Sequence, residues 1–344
     1  MTSWTSPSTI ETENMHEPLP IPDLTGHLCK LLAQVPAGRI ATCGDLADAL
    51  GNRIAARWVG HYALHHEHQP ECPCHRIVRL GGELGGYVAG SIEEKADRLA
   101  NEGVVVQYRK DDLPPFVDLE QFGFCEFVSD RPLEQLRQVQ EAIQRRIVLR
   151  PRRRMPKWIG GVDVAYPQPG MGAAAYALVE TSTGRLVWST TLRRPVVFPY
   201  ISTYLSFREM PILLDLLDEV QAADRLAEVL MVDGSGILHH RHAGIASHLG
   251  VVASLPTIGV TKKLLCGQVD IRDMAPGESR PVVHEDQLIG LALRPTSGSL
   301  RPIFVSPGHR VDVAFCEQLV RQLMTGRRLP APIYWADRLS RSPR

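Results

Sequence analysis

The strongest constraint on how this chain can fold is a change of hydrophobic period part-way along it. From Asp23 to about Gly103, apolar residues recur at three- and four-residue steps in LTGHLCKLLAQV, CGDLADAL and RIAARWVGHYALHH, the spacing of amphipathic helices. The Gly51-Asn52 pair between the last two predicts a helix-turn-helix. GELGGYVAG reads as a Gly-rich loop or short hairpin, and SIEEKADRLANEGV as a further helix. The period then fades through QYRKDDLPPFVDLEQFGFCEFVSD, whose paired prolines mark a loop-rich connector. Beyond it, short apolar stretches rich in β-branched residues (KWIGGVDVAY, AAYALVET, RLVWSTTL, EVLMVDG, LPTIGVT) are interspersed with helical patterns such as REMPILLDLLDEV and HAGIASHLG. That pattern predicts an α/β domain, and the short gaps between its first strands predict hairpins and a mixed sheet. With 344 residues the chain is also too long for one ordinary core. The expected division is a disordered tail over residues 1–22, a helical domain over 23–104, a connector over 105–130 and an α/β domain over 131–344.

Hydrophobic residues make up 44% of the chain and charged residues 22%, and no apolar run approaches the roughly twenty residues a membrane helix needs. The opening MTSWTSPSTIETENMHEPLPIPD lacks the charged-then-apolar order of a signal peptide. Seven cysteines, an odd number spread from Cys29 to Cys316, fit reduced thiols better than a disulfide framework. A cytoplasmic protein is expected. The net charge of zero hides an asymmetry: residues 1–130 carry 10 basic and 19 acidic groups, the remainder 28 and 19. The second part therefore suits a polyanion partner. Its sharpest stripe, RRIVLRPRRR from Arg145 to Arg154, is readable as a solvated linker or as a phosphate contact.

Chemistry in the first domain centres on PECPCHRIVR, which brings Cys72, Cys74 and His75 within four positions. Three readings stand side by side. As a metal clip the cluster supplies three donors where a closed zinc site takes four, and no second cysteine pair lies nearby, although His61, His65, His66 and His68 precede it. As a reactive thiol, Cys74 has in His75 the adjacent base such a group needs. As a buried turn it would be inert. Together VPAGRIATCGDLADALG, AARWVG, PCHRIV, GGELGGYVAG, Lys95 and Glu102-Gly103 resemble the DNA-binding and active-site domain of the O6-alkylguanine-DNA alkyltransferases. The resemblance implies a mainly helical, winged-helix-like domain in which Cys74 irreversibly accepts an alkyl group from damaged guanine, with no cofactor. His75 and Glu102 would help form the thiolate through water. Arg57 would fill the gap left by the flipped base, Ala55 and Ala56 would allow close approach to the groove, and Tyr87 would line the lesion pocket. Three positions depart from the family pattern. Cys43 replaces the tyrosine of TYGDLA, His66-Glu67 replaces Asn-Pro, and Cys72 replaces an apolar residue, where it would reshape the pocket or act as a resolving thiol. Relatives without the cysteine bind lesions and leave them unrepaired. The alternative for this domain is accordingly lesion binding that targets the second domain, and a zinc-stabilised DNA-binding domain is a further one.

In the second domain, phosphodiester hydrolysis with a hard divalent ion would need carboxylates converging at strand ends. Asp163 in GGVDVAY, Asp233 in VLMVDGSG and Glu209 in YLSFREMP are the candidates, with Lys262 of IGVTKK placed to neutralise developing phosphate charge. Read singly, such a carboxylate is as readily a turn or helix cap, and the lysine a solvated one. In order, GGVDVAY, PYISTYLSFREMP, VDGSGILHHRHAGIASHLGV, PTIGVTKKLLCG, VSPGHRVD and ADRLS closely resemble endonuclease V. The resemblance implies an RNase H-like fold and nicking at the second phosphodiester bond 3′ to deoxyinosine. It also implies Mg²⁺, or Mn²⁺, on Asp163 and Asp233, with Glu209 ligating or acting through water and His309 completing the site. Pro199, Tyr200, Ile201 and Ser202 would form a wedge stacking where the lesion left the helix, with His239 nearby. Ser202 and Ser235 depart from the usual residues, as does HHRHAG. The whole reads as a bifunctional repair protein whose partners are damaged DNA carrying O6-alkylguanine or deoxyinosine. Inosine in RNA is left open, and no membrane or obligate protein partner is expected.

Overall fold

A computed structural model of the chain describes residues 21–109, 113–296 and 298–342. The expected N-terminal tail lies outside the described residues as far as residue 20, as do Lys110, Asp111 and Asp112 of the connector.

Helices Leu24–Leu32, Cys43–Ala49, Ala56–His65 and Ile92–Asn101 build the first unit. Three start where the sequence offers a cap. Asp23 accepts from the Gly26 N–H, while Thr42 with Asp45 and Ser91 with Glu94 form reciprocal capping boxes. The expected helix-turn-helix is present. At its turn Gly51 has φ of 103°, and a Cβ there would stand 2.7 Å from the Glu134 nitrogen, so both backbone and space require glycine. Leu28, Leu46, Leu50 and Val59 meet in one core with Cys74.

The connector is more ordered than its prolines predict. Phe116–Val117 pairs antiparallel with Val106–Gln107, Ile40 bridges to Gly123, and Val117 and Phe122 join Val78, Leu84 and Leu99 in a small core. Its apolar side chains are held by contacts distant in sequence, so they show no period of their own.

Helix Pro132–Arg146 then joins the two parts. Leu133 and Leu136 enter the first core, while Ile143 packs with Ala243 and Val251 of the second unit. That second unit is an eight-stranded mixed sheet, bearing out the α/β expectation. The strand order is Ser279–His284, Gln287–Leu293, Ile303–His309, Thr257–Thr261, Leu230–Asp233, Trp158–Gln168, Met171–Glu180, Leu186–Pro195. Leu230–Asp233 runs parallel to both neighbours, and every other pairing is antiparallel. Strand alternation sends Val162, Leu230 and Val232 to one face, under helices Leu205–Ala222 and Ile245–Val252. Ile159 and Met231 go to the other, under Val313–Gln322 and Ala331–Ser340. No helix among the described residues is long and apolar enough to cross a membrane.

Candidate active sites

The register that pairs Val162 with Val232 sets Asp163 and Asp233 side by side on neighbouring strands, on the face covered by helix Ala331–Ser340. From that helix comes Asp337. One oxygen from each of Asp163, Asp233 and Asp337 lies within 4.8 Å of the other two. Lys262, just beyond its strand, donates to Asp233 and Asp337 at 2.9 Å each, and Ser340 donates to Asp163 at 2.5 Å. Arg341 reaches Asp337 at 3.1 Å from the exposed rim. Burial, with the neighbouring charges of Asp233 and Asp337, pushes the Asp163 carboxyl up to about 6. Three converging carboxylates with hard oxygen donors, only partly neutralised by these cations, fit a divalent ion of the Mg²⁺ or Mn²⁺ type.

Glu209 reaches the neighbourhood from the opposite face, in the first turns of Leu205–Ala222. It accepts from the Tyr166 hydroxyl at 2.8 Å and is not one of the three clustered carboxylates. Burial, reinforced by the charges of Asp163 and Asp233 and opposed by the Tyr166 hydrogen bond, raises it to about 8. The structure places His309 away from the three carboxylates: it pairs with Thr257, whereas Asp233 pairs with Val260, three residues or about 10 Å further along the strand that lies between them. There His309 Nδ1 accepts from the Val148 N–H at 3.3 Å.

Tyr200 of the wedge is exposed while Ile201 beside it is buried in the first core. A cavity of about 90 Å³ lies behind, with Tyr200, Ile201, Ser202, Ser235 and His239 in its wall. Burial and the adjacent Arg241 lower His239 to about 3, so its ring is neutral and donates to the Thr203 carbonyl at 3.1 Å. Pro199 is half-buried and Ser202 exposed. Arg145, Arg146, Arg150, Arg153 and Arg154 are exposed and form no ion pair among the described residues, whereas Arg152 pairs with Glu228.

In the first unit PCHR forms a tight turn, Pro73–Arg76, that buries Cys74 and His75. His75 Nε2 lies 2.8 Å from Glu102 Oε1, and its buried Nδ1 has no partner among the described residues. Burial alone would raise the Glu102 carboxyl. Hydrogen bonds from Arg76, His75 and the Gly38 N–H outweigh it and hold Glu102 at about 2. Burial, then the adjacent Cys72, pushes the Cys74 thiol up to about 12, with the Lys95 charge opposing. Lys95 was legible as a motif position without a role. Its buried ammonium is fixed on the carbonyls of Ile77, Leu84 and Gly86. Tyr87 is buried, its ring edge-on to His68 at 6.0 Å. Arg57 is exposed on its helix and forms no ion pair among the described residues. Cys43 is half-buried, and the Lys95 charge acts on it too.

Asp337 is the residue sequence reasoning missed. It stands in the recognised ADRLS segment, but only the packing of that terminal helix against the sheet reveals a carboxylate aimed at Asp163 and Asp233. The endonuclease V family model matches residues 141–338, more than half of the chain. The chain belongs to the endonuclease V family. Residues 23–104 match the model of the 6-O-methylguanine DNA methyltransferase DNA-binding domain, so both families read from the sequence are borne out. A bifunctional methyltransferase/endonuclease of Picrophilus torridus is 30% identical, covering 88% of this chain and 90% of its own length. The endonuclease V of Azotobacter vinelandii is 40% identical over 59% of this chain and 91% of its own. Among solved structures, the catalytic domain of human endonuclease V superposes with a TM-score of 0.58 at 30% identity, covering 62% of this chain and 96% of that one. The chain is thus an enzyme of the endonuclease V family with an alkyltransferase-type DNA-binding domain attached.

Proposed function

We propose that this protein repairs two kinds of base lesion: it nicks DNA at the second phosphodiester bond 3′ to deoxyinosine, and it takes the alkyl group of O6-alkylguanine onto Cys74. The observation that carries the nuclease reading is the convergence of Asp163, Asp233 and Asp337 around Lys262. The three carboxylates would hold Mg²⁺ or Mn²⁺, which when bound supplies Lewis-acid polarisation of the phosphate and a more acidic water. Lys262 brings a fixed positive charge against the phosphate as negative charge builds on it. Glu209, raised by burial and tied to Tyr166 through Oε1, would ligate the ion or act on it through water. Tyr200 stacks where the extruded base was, and His239, neutral and locked, presents a fixed wall to the base pocket.

For alkyl transfer, the Cys74 sulfur forms a bond to the alkyl carbon as the carbon–O6 bond breaks. The thiol proton ends on guanine, leaving a thioether and unmodified base. His75 Nδ1, unpartnered and backed through Nε2 by Glu102, is suited to carry that proton, and Lys95 favours the thiolate electrostatically. Arg57 is free to enter the duplex as the base leaves it. One observation favours the second reading, in which this domain only binds lesions: burial and Cys72 make the resting thiol a weak nucleophile.

The deciding experiment runs labelled alkyl transfer beside nicking of an inosine duplex, on wild type, Cys74→Ser and Asp163→Ala. Loss of labelling only in Cys74→Ser and of nicking only in Asp163→Ala is the expected pattern. Label still entering Cys74→Ser, or full Mg²⁺-dependent nicking by Asp163→Ala, would overturn the corresponding assignment. Lesion binding by wild type without any mass added to the Cys74 peptide selects the second reading.

A further inference from the structure

Cys72 has no part in either reaction, and neither do the histidines before it. They do not lie apart. One donor atom each from His66, His68, Cys72 and Cys74 falls within 4.8 Å of the other three, in a loop that leaves helix Ala56–His65 and ends in the Pro73–Arg76 turn. The group pairs off as Cys72 Sγ with His66 Nε2 at 3.3 Å and Cys74 Sγ with His68 Nδ1 at 3.5 Å. From these observations we propose that His66, His68, Cys72 and Cys74 form a site for one thiophilic divalent ion, zinc above all, and that its occupancy withholds Cys74 from alkyl transfer.

Two features support a built site over a chance gathering. The ligand count is complete: two sulfurs and two imidazoles are the closed tetrahedral set of structural zinc, with no position left open. The orientation is prepared as well. His66 Nδ1 donates to the Tyr62 carbonyl at 2.9 Å and its ring stacks on Tyr62 at 4.8 Å, which fixes the tautomer and turns the Nε2 lone pair toward Cys72. His68 is steadied edge-on against Tyr87. Donor chemistry separates this site from the nuclease cluster. Sulfur and nitrogen select zinc, whereas the all-oxygen set of Asp163, Asp233 and Asp337 selects harder ions, so each site can fill without emptying the other. Binding replaces the two thiol protons by the metal and releases them to solvent. With its sulfur so engaged in a closed shell, Cys74 cannot approach an alkyl carbon until the ion leaves.

The withholding rests on Cys74 being the alkyl acceptor, whereas the metal site does not, and the test separates them. The full-length protein, stripped by chelation, is titrated with Co²⁺. The expected result is one equivalent giving the near-ultraviolet sulfur-to-cobalt charge-transfer band of a tetrahedral dithiolate site, displaced by Zn²⁺. Cobalt at carboxylates cannot produce that band. Cys72→Ser should roughly halve it, and the doubly substituted His66→Ala, His68→Ala protein should lose the tetrahedral spectrum. Wild type that takes up Co²⁺ with no such band overturns the site. Labelled transfer from O6-methylguanine DNA is then run with and without Zn²⁺. At free zinc about ten times its dissociation constant the reactive fraction falls to about a tenth, so transfer should slow about tenfold. At that same free zinc Cys72→Ser, which keeps only three ligands and so binds the ion more weakly, should be slowed far less than wild type. Zinc-loaded protein reacting at the metal-free rate overturns the withholding. A cobalt band from protein that never labels Cys74 in either state supports the site and overturns both the acceptor reading and the withholding.

Discussion

Asp337 and His309 illustrate how differently two polar residues can stand toward the same sheet. Both stand within recognisable motifs, yet Asp337 projects from a helix onto the neighbouring strands that carry Asp163 and Asp233, while His309 sits away from them at the end of its own strand. Asp337→Ala is therefore expected to weaken Mg²⁺ binding and inosine nicking by about 10- to 100-fold, and His309→Ala to leave the nicking rate near that of wild type. Nicking rates across a Mg²⁺ titration check both. Glu102 makes a pH prediction at the same scale. Its folded value of about 2 lies below the ordinary 4.5, so the stability it contributes is fully present above about 4.5 and is lost as pH falls through about 2. Glu102→Gln should lack that part of the acid decline. Urea unfolding repeated down the pH scale measures the difference. His75 and Glu102 could be paired from the motif alone. Lys95 could not, since nothing in SIEEKADRLANEGV says that its lysine will be buried on three carbonyls.

Among the elements, the short segment between wedge and helix is the most constrained. Thr203 has φ of 67°, a left-handed conformation that costs a β-branched residue about 1–3 kcal/mol. Its carbonyl receives Gln140 at 2.9 Å, His239 at 3.1 Å and Arg241 at 2.7 Å, and Arg241 also binds its hydroxyl at 2.7 Å. This clamp holds the chain that presents Tyr200. Arg241→Ala is expected to lower stability by about 2–3 kcal/mol, because it removes charge-assisted bonds from a buried carbonyl, and to reduce nicking of inosine DNA. Adding Thr203→Gly should recover part of the stability, since glycine adopts positive φ freely. Chemical denaturation of the single and double variants reads both effects. The strands and helices around this segment were legible from their periods. The clamp was not, because its donors come from residues 140, 239 and 241, which only the fold brings together.

The whole molecule is joined more tightly than a connector between two domains suggests. Phe198, Ile201, Tyr204 and Phe207 of the nuclease share a core with Leu28, Val59 and Cys74 of the helical unit, through Leu133 and Leu136. Tyr204 accepts from Asn52 at 2.8 Å and donates to the Leu133 carbonyl at 3.0 Å, tying the helix-turn-helix to the residue beside Thr203. Wild type should accordingly unfold in one cooperative transition. Tyr204→Phe combined with Asn52→Ala is expected to cost about 1–3 kcal/mol and to separate calorimetric unfolding into two transitions. Joining two DNA-binding units on one polyanion raises the local concentration of each on the DNA the other has found, and the exposed arginines between 145 and 154 suit that shared contact.

The sequence by itself determined the two units and their class, because helical and strand periods are local properties of burial. Ordered motifs likewise pointed to Cys74, His75, Asp163, Asp233 and Lys262 as candidates, since their chemistry is written in their residue types. Tertiary structure alone decided which of these meet. It added Asp337, set His309 apart from the carboxylates, folded the connector onto the helical unit, and gathered His66, His68 and Cys72 around Cys74. Each of those outcomes depends on side chains converging from separate elements, or on how one irregular loop closes on itself. Neither leaves a period in the chain, and so neither can be read from spacing.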